Sequence, residues 1–459
     1  MPHLTLARCG RTPMPPFPPR HTSTTAIHRS AAAPGCFTRP ASHLGSRAAM
    51  FFSLVAVTVG PGDRLPVAAH AAGHKPAYAW SDNGHGQLRY GDTTTDYTPT
   101  PMRLPRGVTA RSVAAGHAYS LVVGSDGHIY AWGNNESGQL GNGDETVYSA
   151  FTTSVWTQLP HGIAARSVAA GDTHSLAVGG DGHAYAWGNN ESGQLGDGSM
   201  TGSSTPVQVR LPRGVITISV AAGRDYSLAV GGDGHIYAWG SNTIGQLGDG
   251  STTSSSTPVQ VRLPRGAAAV SIAAGDDYSL ALTSDGYVYA WGSNTISQLG
   301  NGNMVSSSTP VKAPLPRGVA ARSVAARDGY GLAAGSDGHI YAWGDNASGR
   351  LGNSYKISSP APVSVRLPRG VIAVSVAAGH DYSLAVGSDG HAYAWGSNFV
   401  GELGNGDNSA TAGNGLVRVR LPRGVAARSI SAYDYSLTVG SDGHAYAWGP
   451  NATGAMLPG

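Results

Sequence analysis

Cysteine is nearly missing from this 459-residue chain: Cys9 and Cys36 are the only two. Disulfides, cysteine-ligated metals and thiol catalysis are thereby excluded for everything after residue 36. Charge is also scarce, at 12% Asp, Glu, Lys and Arg. No stretch of ten or more residues repeats apolar side chains at helical period, which excludes a helical bundle. The apolar run 48–60 (AAMFFSLVAVTVG) has 13 residues, too few to cross a bilayer as a helix. Acidic residues are almost lacking from the start of the chain. Residues 1–75 hold eight Lys/Arg and one acid, Asp63, so this part carries +7 of the overall +3 and the remainder about −4. Bulk charge therefore excludes a basic nucleic-acid binder, and no nucleic-acid partner is expected.

Residues 1–47 are rich in Pro, Ser, Thr and Arg and bury too little to fold, so they read as a disordered basic leader. Segment 48–72 follows Arg47 and ends near Ala69-His70-Ala71, the small-x-small form of a signal-peptidase site. It reads as a signal peptide, which implies export. The other reading is a loosely attached apolar strand, which leaves the protein in the cytoplasm.

Glycine, by contrast, is abundant at 66, and it recurs with a period. The tripeptide YAW ends at Trp80, Trp132, Trp187, Trp239, Trp291, Trp343, Trp395 and Trp448, at intervals of 52 to 55 residues. Each unit runs LPRG, SVAAG, YSLAV, SDGH, YAWG, NxxGQLG, TPVxV and reads as four short strands. Asp-Gly between the second and third strands is a hairpin signal, read as a two-residue type I′ turn. Four such strands cannot bury both faces alone, but sheets stacked around an axis can. The fold is therefore expected to be all-β: a seven-bladed propeller of four-stranded antiparallel blades over residues 76–459. SVAAG or a near copy occurs seven times and YAW eight. The last unit lacks a fourth strand, so residues 98–104 are expected to supply it and close the ring with strands from both ends. Either residues 78–80 or 446–448 are then left over. The recurring Trp is an inter-blade packing anchor.

These motifs resemble the repeat of the regulator of chromosome condensation family. The likeness covers residues 76–459. It implies the propeller fold and two unrelated activities: nucleotide exchange on a Ran-type small GTPase, or, in secreted bacterial propellers, inhibition of β-lactamases by loops of one face. The position often held by His in that repeat is here mostly Tyr (Tyr119, Tyr226, Tyr278, Tyr330, Tyr382, Tyr435), with His174 the exception.

Antiparallel order places the 1–2 and 3–4 connections on one face, here the variable face, and the 2–3 and 4–1 connections on the other, the uniform face. The uniform face is expected to carry a histidine ring (His128, His183, His235, His339, His391, His444) and an arginine ring (Arg106, Arg213, Arg265, Arg317, Arg369, Arg423). The variable face is expected to carry Asp172, Asp225, Asp276, Asp277, Asp328, Asp381 and Asp434, which makes the molecule electrically two-sided.

Where identical units differ, the fold does not demand the difference, so the departures mark a working surface. Loop 142–158 gains Tyr148, Phe151 and Trp156, which suits an interface hot spot. Other departures on the variable face are His117, Arg224, Asp276, Asp277, Tyr355, His380, Phe399 and Tyr433. No G-x-S-x-G elbow, H-E-x-x-H pair, Walker loop or dinucleotide fingerprint occurs. The sequence thus points to a monomeric, non-enzymatic protein-binding propeller with no cofactor. Its expected partner is a protein of unspecified identity, met either as a secreted inhibitor or as an exchange factor or scaffold for a small GTPase.

Overall fold

The structure is a computed structural model that describes Met102 and residues 104–144, 151–399, 401–407 and 415–448, with only the strand backbone of 151–154. The leader, segment 48–72, residues 78–80 and Tyr148 lie outside the described residues.

The chain forms a seven-bladed propeller. In the first blade, strands Ala110–Gly116, Tyr119–Gly124, Ile129–Gly133 and Phe151–Thr157 pair antiparallel, each with the next. Five further four-stranded sheets repeat this order, and the described residues of the seventh are Ala427–Ala432, Ser436–Gly440 and Ala445–Trp448. Residues 446–448 are therefore a copy of YAW inside the ring. Met102, within the stretch expected to complete that sheet, is fully buried in one cluster with Ala445, Ala447 and Trp448. Ring closure is direct: the amide of Ala110 donates to the Gly443 carbonyl at 3.0 Å, and that of Ala115 to Ser431 Oγ at 3.2 Å. One 3-10 turn, Pro160–Gly162, breaks the all-strand pattern among the described residues.

Position within the blade explains composition. Second and third strands are buried along their whole length, Tyr289 alone being half-buried among the described residues, because neighbouring blades cover both of their faces. The fourth strand is an edge. Hence SSTPVQ at Ser203–Gln208 is half exposed and tolerates Pro206, which no inner strand could. Each blade's Trp is buried against its neighbour: Nε1 of Trp187, Trp239 and Trp291 donates at 2.8 Å to the carbonyl of Gln139, Gln194 and Gln246 in the preceding blade. The glycine ending GQLG lets that ring approach. At Gly196 (φ +69°) a Cβ would stand 2.7 Å from Trp239. We expect Trp239→Ala to lower stability by about 3–5 kcal/mol, from a cavity and a lost hydrogen bond. Urea unfolding followed by far-UV circular dichroism measures it, and a loss under about 1 kcal/mol would remove Trp from its anchoring role.

The Asp-Gly turns are not type I′. Only the glycine of each pair has positive φ, as at Gly127 (+84°), and the Gly127 amide donates to Gly124 O at 3.0 Å. That bond spans Ser125 and Asp126, so the loop is a three-residue turn ending in a left-handed glycine. The aspartate is needed for its side chain: Asp126 accepts the backbone amide of His128 at 3.2 Å.

Candidate functional site

A second hydrogen-bonded system runs around the ring, just inside the variable face. The hydroxyl of Tyr119 donates to the carbonyl of His174 in the next blade at 2.6 Å, and Tyr330 to that of Tyr382 at 2.5 Å. Tyr226 reaches Tyr278, Tyr278 reaches Tyr330, and Tyr435 returns to Tyr119, closing the belt. Tyr382 joins it through Ser436 at 2.7 Å. His174 is the exception in kind as well as in sequence: its Nε2 meets Ser227 Oγ at 2.9 Å. This belt sets the 1–2 turns at fixed positions around the axis.

The first strands of the blades neighbour one another and enclose a central cavity of about 880 Å³, lined mostly by small side chains of the SVAA segments. At its variable-face end stand Arg327 and Tyr433, and at its other end Asp285, Gly286 and Arg322. Arg327 replaces the glycine that five other blades keep at this position (Gly116, Gly171, Gly223, Gly275, Gly379). Its side chain is 7% exposed, with its guanidinium 3.3 Å over the ring of Tyr433. It lies 3.4 Å from Asp172, 3.5 Å from Asp276 and 3.5 Å from Asp328. The Tyr433 hydroxyl donates to Asp172. Residues from blades 2, 4, 5 and 7 thus meet across the axis. Burial opposes the arginine's charge, but Tyr433 and the three carboxylates hold it on. Burial also pushes the Tyr433 hydroxyl far above the usual phenol range.

Around this plug the other departures gather. Arg224 reaches Asp225 at 3.2 Å and Asp277 at 3.0 Å. Arg350, which replaces the glutamine of GQLG, meets Asp381 at 2.5 Å, Asp345 at 3.4 Å and Asp328 at 3.6 Å. His380 lies 3.4 Å from Asp328 and 3.3 Å from Asp381, and His117 lies 3.7 Å from Asp434. The hydrogen bond to Asp381, working against burial, pushes the His380 imidazole up to about 9, and the same bond holds Asp381 below the usual carboxylate range. Burial pushes Asp328 up to about 6 and raises Asp277 and Asp434. Eight carboxylates here face three guanidiniums and the His380 imidazolium, so the mouth is acidic even with its ion pairs made.

Of the residues singled out in the sequence, His117, Arg224, Asp276, Asp277, His380 and Tyr433 come together at this mouth. Tyr433 is 3% exposed and faces Arg327, so it offers no ring to a partner. Tyr355 and Phe399 lie on 3–4 loops of the same face, 67% and 70% exposed. Trp156 stands elsewhere. Phe151–Thr157 is a fourth strand, not a loop, and Trp156 pairs with Tyr130 as Gln208 pairs with Tyr185. Its ring packs edge-on against His128, 4.7 Å away, toward the uniform face. Phe151 opens that strand opposite Gly133. Arg327 and Arg350 were not legible as site residues by type. Their one signal was that each breaks the repeat, at SVAAG and at GQLG.

The uniform face is less simply cationic than the His and Arg rings imply. Each histidine of an Asp-Gly-His turn contacts the aspartate of its own turn, from His128–Asp126 at 3.1 Å to His444–Asp442 at 2.7 Å. The YAW tyrosine donates to the same carboxylate, as Tyr130 does to Asp126 at 2.6 Å. Despite burial, these contacts hold the Asp126 carboxyl below its ordinary range. The six LPRG arginines are exposed and make no ion pair among the described residues.

Among the described residues no helix is long and apolar enough to cross a membrane, and no group of three His, Cys, Asp or Glu could hold a metal ion. The RCC1-like domain family matches residues 38–321, and the RCC1 repeat matches residues 337–386 and 373–402. The ultraviolet-B receptor UVR8 of Arabidopsis thaliana is 31% identical over 335 residues, 72% of this chain and 74% of that one. The E3 ubiquitin-protein ligase HERC2 of Homo sapiens is 28% identical over 84% of this chain, which spans only 8% of that ligase. Among solved structures, Prp20p of Saccharomyces cerevisiae, studied for its binding to Gsp1p and histones, superposes with a TM-score of 0.67 at 21% identity, covering 87% of this chain and 92% of that one. At that identity the likeness speaks for the fold. Sequence and structure agree that the chain belongs to the RCC1-like family of propellers.

Proposed function

We propose that this protein is a non-catalytic regulator or scaffold that holds a protein partner on its variable face. The observation that carries the reading is convergence. His117, Arg224 and His380 stand at the surface of one mouth beside Asp277, around the buried brace of Arg327, Asp276 and Tyr433, although these residues are spread between positions 117 and 433. Their supports are buried and hydrogen-bonded, so the surface is preorganised, which lowers the entropic cost of binding.

Of the two expected settings, the small-GTPase type is favoured over the secreted inhibitor. Prp20p, a relative in fold, is described with Gsp1p, whereas the export reading rests on residues 48–72, outside the described part. The test uses the full chain and a small GTPase loaded with a fluorescent guanine nucleotide. Binding, with or without faster nucleotide release, is expected, and D277A with R224A should weaken it by about tenfold or more. Unchanged affinity in that double variant, with the fold intact, would move the partner off this face.

A further inference from the structure

We propose that blades 4 to 6 of the variable face form a distinct docking sector for a basic peptide segment flanked by aliphatic or aromatic side chains. This deepens the reading of the variable face and rests on it.

Two independent features coincide there. The first is apolar. Ile296, Met304, Val305, Tyr355, Ile357 and Phe399 are 40%, 61%, 70%, 67%, 73% and 70% exposed, all on 3–4 connections of three successive blades. The equivalent stretch of blade 3 is polar, Ser251-Thr252-Thr253-Ser254. Among the described residues, Met200 of blade 2, 55% exposed, is the one large apolar side chain on a 3–4 connection outside this arc, so six of seven gather on three successive blades, more than the scattered exposure ordinary surfaces show.

These loops are also held in shape. Asn294 Nδ2 donates to the carbonyls of Asn303 at 3.0 Å and Val305 at 3.2 Å, and Asn346 Nδ2 to that of Ile357 at 3.2 Å. The Gly302 amide donates to the Pro360 carbonyl at 2.8 Å, tying the blade 4 loop to the outer strand of blade 5. The apolar side chains are therefore presented on fixed backbone and do not fold back into the core.

The second feature is charge. The same loops abut the acidic mouth: Ile296 packs over Gly329, next to Asp328, and Ser348 in the blade 5 loop donates to Asp381 at 2.7 Å. Carboxylates at the mouth outnumber the three guanidiniums and the His380 imidazolium eight to four. An acidic segment would meet that surplus with repulsion, and a purely apolar one would leave it unanswered. A Lys or Arg directed at the mouth, with apolar neighbours over the arc, satisfies both features. It would anchor in the manner of an amphipathic segment laid in a groove.

The experiment selects a random-peptide display library on the immobilised full chain, then compares selected peptides on the parent and on M304S/Y355S/F399S. All three positions are well exposed, so the fold is retained, and circular dichroism checks it. The expected result is enrichment of peptides with net positive charge and aliphatic or aromatic residues. Their affinity should fall about tenfold or more on the variant and weaken with added salt. Enrichment of acidic or uncharged peptides, or no enrichment, overturns the proposal. So does equal binding to the variant. If peptides that bind the variant equally are lost on R224A/D277A, the variable-face reading stands and only the sector assignment falls.

Discussion

Changing Arg327 to glycine, the residue that five sister blades carry, is expected to destabilise the propeller by about 3–5 kcal/mol at neutral pH, although it restores the repeat. The reason is context. Arg327 is buried, and Asp172, Asp276 and Asp328 are each no more than 29% exposed on the far side of its ion pairs. Removing it leaves three poorly solvated carboxylates facing one another and strips Tyr433 of its cation–π partner. The triple variant R327G/D172N/D276N should regain much of the loss, because the orphaned charge goes with the arginine. Urea unfolding of the parent, the single and the triple variant measures both effects. A single variant as stable as the parent would mean that the brace across the axis adds nothing to the ring.

The second large effect is on acid stability. His174 is the one histidine in the tyrosine belt, and burial holds its imidazole down to about 4, against 6.5 for an ordinary histidine. The unfolded chain therefore binds a proton between those values that the folded chain refuses. Stability from this site is fully present above pH 6.5 and is lost as the pH falls toward 4, by about 3 kcal/mol in all. Tyrosine at this position would reach the next blade's carbonyl, as Tyr226 and Tyr330 do, and would not titrate in this range. His174→Tyr is thus expected to remain the more stable protein as pH falls, with little difference at pH 7. The readout is the difference between the two proteins. Asp328, raised to about 6, gains stability as pH falls through that window and opposes the histidine in each of them. Parallel pH dependence of the two would refute the assignment.

The same two positions show how legible this protein is from residues alone. His174 stood out because six equivalent positions hold tyrosine, and the belt explains why one histidine among them matters. Arg327 breaks a glycine motif just as plainly, yet its letter carries no address. Only the folded ring places it against carboxylates from blades 2, 4 and 5. Trp156 is the converse. Its neighbours Phe151 and Tyr148 made it look like part of an inserted loop, but Val155 and Thr157 keep the strand register, so Trp156 lies on an outer strand beside His128. The histidine ring misled for a related reason. In the sequence the aspartate two residues earlier in each turn reads as turn chemistry, whereas it faces the same solvent and contacts the histidine.

The sequence by itself determined the number of blades, the four-strand unit, the scarcity of helix and the closing of the ring, because a unit of some 52 residues has one way to bury its Trp and its paired strands: against a copy of itself. It also determined which positions depart from the repeat. Which departures meet was decided only by the tertiary structure. Seven blades bring residues hundreds of positions apart to one axis, and contact across that axis depends on side-chain reach and charge pairing, neither of which is periodic in the chain.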